Sequence, residues 1–325
     1  MASEFDLIDR HFRPLSQGAG VALGIGDDTA ILDPTPGHQL LATVDTMVAG
    51  VHFLPDTPAR RLGYKAMAVN LSDIASMGGR PRWATLALTL AQCDEPWLAD
   101  FVGGVGEACA EFGVALVGGD TTRGPLTLTI QLLGEVPRGE GLRRGGARVG
   151  DAVFVSGTLG DAGLGLACLQ GRVSLPVADE ETMRLRLERP TPRVALGEAL
   201  RGLASSAIDV SDGLLADFGH IAKASGVGAR IERAAIPVSG ALRDALQAGL
   251  VDWNLPLSAG DDYELLFTAR AEIESEVLAL GAAHDCHVTR IGTVTDGDDV
   301  IVVDEGGNAW VPSSRGYDHF LEDDA

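Results

Sequence analysis

The feature that most constrains the fold is an alternation of short apolar runs with segments of helical periodicity. HQLLATVDTMV predicts a buried strand ending at Asp45, and ARRLGYKAMAVNLSDIASMG predicts an amphipathic helix that carries Asp73 towards its end. WATLALTL, PWLADFVGGVGEACAEFG and VALVGGD predict a strand, a helix and a strand ending at Asp120, and TLTIQLLGEV is β-rich. Strands separated by helices, several paired without long crossovers, indicate α+β domains or mixed α/β sandwiches.

A second unit of the same kind follows. Residues 137–151 are dense in Gly and Arg and predict an interdomain connection, so we expect domains at residues 1–148 and 149–325. AVFVSG and AGLGLACLQ predict a strand and a helix, and SAIDVSDGLLADFGHIAKASG predicts a strand that passes into a helix. Further strands are expected at GARIE, YELLFTA and VTRIGTV. A chain of 325 residues with 46% apolar content can bury two cores.

The charge balance excludes some partners. The chain has 46 acidic and 25 basic residues, a net charge of −21, and such a surface repels nucleic acid and anionic lipid. No apolar run approaches the roughly 20 residues of a membrane-spanning helix, and the start MASEFDLIDRHF is charged where a signal peptide is apolar. We therefore expect a cytoplasmic protein. The four cysteines form no CxxC pair, which indicates neither a disulfide framework nor a zinc cluster.

Six aspartates lie mostly where an apolar segment meets a turn of small residues, and they are candidate metal ligands: Asp28, Asp45, Asp73, Asp120, Asp209 and Asp212. Burying several unpaired carboxylates together is costly, so a converging set requires cations, and hard oxygen ligands suit magnesium. Each acid also has an ordinary interpretation. GIGDDTA (residues 24–30) could be a simple turn, Asp45 a cap, Asp73 a helix-face residue, and Asp212 an acid favoured by a helix dipole.

The usual phosphate-binding motifs are absent from the sequence. The two lysines, Lys65 and Lys223, do not belong to a GxxxxGK[ST] loop. GIGDDT lacks the third glycine of a dinucleotide fingerprint and no strand plainly precedes it, which argues against a Rossmann site. Phosphates would then need magnesium and a few arginines such as Arg144. SGTLGDAGLG, from Ser156, could bind an anion on its backbone amides or be an ordinary strand-to-helix turn.

Seven motifs occur in order across nearly the whole chain: GIGDDTA, TVDTMVAGVHF, YKAMAVNLSDIASMG, LVGGDTTRGP, SAIDVSDGL, GDDYELLF and RGYDHF. On these motifs the chain resembles the bacterial thiamine-monophosphate kinases, within the superfamily of aminoimidazole ribonucleotide synthetase and selenophosphate synthetase. The resemblance implies an N-terminal α+β domain that forms a β-barrel across a homodimer and a C-terminal α/β sandwich that completes the active site. The implied reaction is in-line transfer of the γ-phosphoryl group of ATP to thiamine monophosphate, the last step of thiamine diphosphate biosynthesis.

The resemblance also implies roles for individual residues, with several magnesium ions bound. The metal ligands would be Asp28, Thr43, Val44 (through its backbone), Asp45, Asp73, Asp120, Asp209 and Asp212. The ATP contacts would be Gly119, Asp120, Arg144 and Ser211, and the substrate contacts would be His52, Asp261 and Tyr317. No general base is implied. The family more often has GGEDYE where this chain has AGDDYE, so Asp261 is one methylene shorter than the usual glutamate.

Other functions share these features. Related enzymes keep ATP but phosphorylate an amide oxygen or a selenide. The chain has no cysteine near its N-terminus, which argues against selenophosphate synthesis, and His52, GDDYE and GYDHF argue against the purine enzyme. A magnesium-dependent phosphohydrolase would use the same acids with water as the acceptor. A noncatalytic acidic protein would bind magnesium without ATP-dependent turnover.

Overall fold

A computed structural model describes residues 4–92, 94–314 and 316–317. The chain divides into two compact units, which we call the N-terminal unit (Met1–Ile74 and Gly79–Gly141) and the C-terminal unit (Ala75–Gly78 and Leu142–Ala325). No helix or strand occurs between residues 138 and 151. Among the described residues, no helix combines the length and the apolar character that crossing a bilayer requires.

The N-terminal unit begins with a helical segment that is α-helical, then π-helical, then 3₁₀ (α1, Glu4–Leu7, continued by Ile8–Phe12 and Arg13–Leu15). Its other elements are β1 (Val21–Leu23), β2 (Ile31–Leu32), β3 (His38–Val48), α2 (Ala59–Ser76), β4 (Arg80–Leu90), α3 (Glu95–Phe112), β5 (Ala115–Arg123) and β6 (Thr127–Pro137).

Four of these strands form an open sheet in the order β3-β6-β4-β5, in which only β4 and β5 run parallel. One face is buried, with Leu86, Ile130 and Leu132 almost inaccessible to solvent. Alternate residues of β3 lie on the other face, where Leu40 and Val44 are 53% and 59% exposed. The predicted buried strand ending at Asp45 was wrong in two respects, because β3 continues to Val48 and all its residues except Met47 are exposed or half-buried.

Helix α2 was predicted to be amphipathic, and the structure corrects this. Residues 62–72 are buried on all sides, since α2 packs closely against α3. A Cβ atom at Gly63 would collide with the carbonyl oxygen of Phe101, and one at Gly104 with that of Arg60. These two glycines therefore allow the helix backbones to touch, and the tight crossing removes the exposed face that an isolated surface helix would have.

The C-terminal unit contains a seven-stranded sheet in the order β13-β12-β9-β11-β7-β10-β8, antiparallel except between β12 and β9. The strands are β7 (Ala152–Ser156), β8 (Ala204–Asp209), β9 (Gly228–Glu232), β10 (Leu265–Ala269), β11 (Val288–Thr295), β12 (Val300–Val303) and β13 (Ala309–Trp310). The helices are α4 (Asp161–Leu169), α5 (Val177–Glu188), α6 (Val194–Ala199), α7 (Leu214–Ser225), α8 (Gly240–Gln247), α9 (Asn254–Ser258) and α10 (Glu274–Ala283), with 3₁₀ turns at Arg233–Ala235 and Ala271–Ile273.

The central strands β7 and β10 are buried at every residue, which fits their uninterrupted apolar sequences. Strands β7 to β11 and helices α4 and α7 were predicted from the sequence, and the structure confirms them. No element was predicted for α5, whose sequence VADEETMRLRLE is half charged. Cys109, Cys168 and Cys286 are buried and unpaired, and burial raises the pKa of the Cys109 thiol to about 12.

Candidate active site

The GIGDDTA loop connects β1 and β2, which pair antiparallel. A strand does precede it, contrary to the sequence analysis. The backbone N–H of Asp28 donates to Asp27 Oδ1 at 2.9 Å, so the first acid shapes the turn itself. Gly26 has φ +134°, and a Cβ atom there would lie 2.8 Å from Arg13 Nη2. Only glycine fits this position without strain or displacement of the arginine.

The GIGDDTA loop shares a cavity of about 540 Å³ with the GGD motif of β5. Asp27, Asp28 and Asp120 line it, and Gly119 lies beside Asp120. A Cβ atom at Gly119 would collide with the carbonyl oxygen of Leu86, so this residue too must be glycine. Apolar walls complete the cavity: Ile8, Phe12, Ile25, Ala30, Leu86, Leu88, Leu116 and Val117. The fold thus joins two acidic motifs that are about ninety residues apart.

A second group of predicted ligands lies on β3 and α2. The hydroxyl of Thr43 donates a short hydrogen bond to Asp73 Oδ2. Asp45 follows Thr43 by two residues and therefore lies on the same face of β3. Val44 lies between them and is exposed on the opposite face, so its side chain points away from Asp73. The chain therefore brings Thr43, Asp45 and Asp73 to one face of the sheet.

Asp45 and Asp120 occupy opposite edges of this sheet. Strand β3 is one edge and β5 the other, so three strand spacings of about 4.8 Å, or roughly 14 Å, separate them. Across the sheet, Asp45 is aligned with Ile130 and Leu86. Asp120 is aligned with Ala87, one residue further along β4, so Asp45 and Asp120 lie on opposite faces of the sheet. Both aspartates lie inside strands, not at strand ends as the sequence analysis stated.

His52 lies in the turn that follows β3. The backbone N–H of Val48 donates to His52 Nδ1 at 3.0 Å, and the N–H of His52 donates to the carbonyl oxygen of Val48 at 3.0 Å. Because Nδ1 accepts a hydrogen bond, the neutral ring carries its proton on Nε2. The two bonds fix the orientation of the imidazole relative to the end of β3.

In the C-terminal unit, the loop at residues 210–213 is organised by an acid that the sequence analysis missed. Asp217, in the first turn of α7, accepts backbone N–H donors from Ser211, Asp212 and Gly213 at 3.0, 3.1 and 3.1 Å. Burial and the negative charges of Asp209 and Asp212 raise its pKa to about 8, against the effect of the donors. Its place in the first turn of a helix, where an acid is favoured, is the signal that could have revealed it.

Two further motifs are tied to this loop by backbone hydrogen bonds. The N–H groups of Asp261 and Tyr263 donate to the carbonyl oxygens of Ser211 and Val210 at 2.9 and 2.8 Å. The N–H of Tyr317 donates to the carbonyl oxygen of Asp212 at 3.0 Å. The predicted substrate residues Asp261 and Tyr317 therefore flank the predicted ligand Asp212. Of the RGYDHF motif, only Gly316 and Tyr317 lie within the described residues.

The other acids of GDDYE face inward. Asp262 accepts the N–H of Gly160 at 2.7 Å, at the start of α4, and burial raises its pKa well above the ordinary value. The helix N-terminus in SGTLGDAGLG is thus occupied by a carboxylate of the protein, which favours the ordinary-turn interpretation of that motif. Glu264 is fully buried and accepts from Ser156 Oγ at 2.6 Å, from Arg186 at 2.8 Å and from Arg193 through two bonds of 2.7 and 2.6 Å.

Arg144 lies in the connection between β6 and β7 and is exposed to solvent. Its carbonyl oxygen accepts a hydrogen bond from the hydroxyl of Ser225, which also accepts from the N–H groups of Gly146 and Ala147. These bonds hold the connection against the end of α7. The structure therefore fixes the backbone of Arg144, while its side chain is exposed.

Within the described part of the chain, no group of three or more His, Cys, Asp or Glu side chains stands close enough to hold a metal ion. The donor chemistry nevertheless suits a hard cation. Carboxylate and hydroxyl oxygens accumulate around the cavity, on β3 with α2, and at the 210–213 loop.

The sequence matches two family models, described as AIR synthase related protein, N-terminal domain (residues 26–136) and C-terminal domain (residues 148–305). The thiamine-monophosphate kinase of Escherichia coli strain K12 is 45% identical over 324 residues, 98% of each chain. The chain belongs to the thiamine-monophosphate kinase family.

Two solved members of the thiamine-monophosphate kinase family have the same fold. The enzyme from Stenotrophomonas maltophilia K279a superposes with a TM-score of 0.86 at 47% identity, covering 95% of this chain and 98% of that one. The structure of AaThiL complexed with AMPPCP and TMP superposes with a TM-score of 0.79 at 34% identity, covering 98% and 97%. The two-domain, mixed α/β architecture of the family is therefore that of this chain.

Replacing Asp217 should weaken the C-terminal unit. Asp217→Ala leaves three backbone N–H groups without their acceptor, which should cost about 1–3 kcal/mol of unfolding free energy. Asp217→Asn keeps an oxygen in place and should cost less than half as much. Urea unfolding measures both, and amide hydrogen exchange at residues 211–213 should accelerate in the alanine variant. The exposed Asp244→Ala is the control, and an equal effect in both alanine variants would contradict this assignment.

Proposed function

We propose that this protein phosphorylates thiamine monophosphate with ATP, giving thiamine diphosphate and ADP. The observation that carries the proposal is the full-length similarity to a structure complexed with AMPPCP and TMP, an ATP analogue and the acceptor. The convergence of three sequence motifs at the 210–213 loop and of two at the N-terminal cavity supports it. The cytoplasm stays the predicted location.

We assign the domain and residue roles as the family resemblance implies. Residues 1–148 bind ATP and metal and form the dimer, and residues 149–325 complete the active site. Magnesium is held by Asp28, Thr43, the backbone of Val44, Asp45, Asp73, Asp120, Asp209 and Asp212. ATP is held by Gly119, Asp120, Arg144 and Ser211, and the thiamine substrate by His52, Asp261 and Tyr317. The closeness of Asp209 and Asp212 to the buried Asp217, whose pKa is raised by burial and by these two charges, supports a cation at Asp209 and Asp212.

The acceptor needs no general base. The second pKa of a phosphate monoester is about 6, so at pH 7 its nucleophilic oxygen is mostly deprotonated. The obstacle is repulsion: two unit charges 4 Å apart repel by about 4 kcal/mol at an effective dielectric of 20, and each reactant carries several charges. Bound magnesium supplies the neutralising charge. The chain contributes positioning, since the cavity places the GIGDDTA loop and the GGD motif side by side.

The N-terminal sheet supports the homodimer. Its open face carries Leu40 and Val44, which are more than half exposed, and the sheet keeps two edges, β3 and β5. Exposed apolar residues on a sheet face and free edges are what a partner sheet covers when a barrel closes. Closing a barrel with a second copy would also change which acids of β3 and β5 are neighbours.

Disrupting the open face should separate the dimer. Leu40→Glu places a charge on the apolar face and should shift the mass in light scattering from twice 33.8 kDa towards 33.8 kDa. Leu250→Glu is the control, because Leu250 is equally exposed, at 50%, in the C-terminal unit. A wild-type protein of 33.8 kDa at micromolar concentration would contradict the dimer.

The reaction itself can be followed by phosphorus NMR. With ATP, magnesium and thiamine monophosphate, new diphosphate signals and ADP should form in equal amounts, and free thiamine should give no phosphorylated product. Inorganic phosphate without thiamine diphosphate would instead indicate a phosphohydrolase. Absence of any ATP turnover would indicate a noncatalytic magnesium-binding protein.

Two single substitutions test the metal ligands. Asp45→Asn and Asp120→Asn should each lower kcat by roughly a hundredfold or more, because a lost ligand removes several kcal/mol of charge stabilisation. The fold should be retained, as judged by circular dichroism and melting temperature. Asp100→Asn, on the exposed side of α3, is the matched control and should keep wild-type turnover. Near-normal activity of either variant would count against the assigned ligands.

A further inference from the structure

The loop that carries Asp261 has an unusual backbone. Asp261 and Tyr263 have φ angles of +68° and +51°, in the left-handed region that residues with side chains seldom adopt. An aromatic residue there is strained, and such strain persists only where the surroundings enforce it. The geometry of residues 261–264 is therefore held by strong local interactions.

Those interactions come from alternate residues. Asp262 and Glu264 are buried and face inward, the first onto the start of α4 and the second onto Arg186 and Arg193. Asp261 and Tyr263, which alternate with these two anchored residues, are only partly buried. Gly260 completes the arrangement, since a Cβ atom there would collide with the carbonyl oxygen of Ser211.

The side chains of Asp261 and Tyr263 are joined by a hydrogen bond. The hydroxyl of Tyr263 donates to Asp261 Oδ1 at 2.9 Å. A carboxylate that accepts a phenolic hydroxyl loses rotational freedom and keeps a single orientation. This matters here because Asp261 is one methylene shorter than the glutamate more usual in the family, so its reach depends on where it is held.

We propose that Tyr263 is a positioning residue for the thiamine substrate: its hydroxyl orients Asp261, whose carboxylate contacts the amino or cationic groups of thiamine. This inference rests on the proposed function. Tyr263 acts through Asp261 and does not touch the phosphates, so its loss should affect binding of thiamine monophosphate and leave binding of ATP unchanged.

Tyr263→Phe keeps the ring and removes only the hydroxyl. We expect KM for thiamine monophosphate to rise about tenfold, with KM for ATP within twofold of wild type and the melting temperature unchanged. In an Asp261→Ala background the same substitution should have no further effect, because the two residues act as a unit. Tyr64→Phe is the matched control, since its hydroxyl donates to Glu111 at 3.0 Å in the N-terminal unit.

Calorimetric titration of thiamine monophosphate in the presence of AMPPCP gives a readout that does not depend on turnover, and Kd should rise by the same factor. Wild-type protein that binds but does not phosphorylate thiamine monophosphate would overturn the proposed function and leave this inference standing. Active wild type with unchanged KM and Kd in Tyr263→Phe would overturn the inference alone. A parallel rise in both KM values with a lower melting temperature would show a merely structural role and overturn it too.

Discussion

The structure depends on how the chain accommodates closely spaced carboxylates. A buried acid must be hydrogen-bonded or paired, since its charge is otherwise costly in a medium of low dielectric. Asp217 and Asp262 meet this requirement with backbone N–H donors, and Glu264 meets it with two arginines. These three acids fix the backbone of the loops. Asp28 and Asp120 instead line an open cavity, where a cation and its phosphates can satisfy them.

The two classes of acid are coupled through the chain. Asp262 and Glu264 alternate with Asp261, so anchoring the first two determines the direction of the third. Asp217 likewise holds Ser211 and Asp212 through their backbone N–H groups. In both loops the residues assigned to ligands sit beside residues whose carboxylates are already satisfied inside the protein. Precise positioning of this kind is what transfer between two anions requires of the enzyme.

Much of the fold and part of the site were predictable from local sequence. Strands β7 and β10 are continuous apolar runs, and the acidic motifs identify the family because their residue types and order are specific. Helix α2 was misjudged as amphipathic, because its burial depends on contact with α3 at Gly63 and Gly104. Helix α5 was missed because a segment in which half the residues are charged carries no clear apolar stripe. Asp217 was missed although its three donors lie only four to six residues before it, because its burial depends on long-range packing.

Residue types and their local spacing were enough to identify the family, the two-domain α/β class and the candidate acids. Which residues are neighbours of these acids was evident from the tertiary structure alone. Asp28 and Asp120 line one cavity, Asp73 accepts a hydrogen bond from Thr43, and Asp261 accepts one from the hydroxyl of Tyr263. The tertiary structure also placed Asp45 and Asp120 at opposite edges of a sheet. The reason is physical: strand order, register and left-handed backbone angles arise from long-range pairing and packing, which no short stretch of sequence encodes.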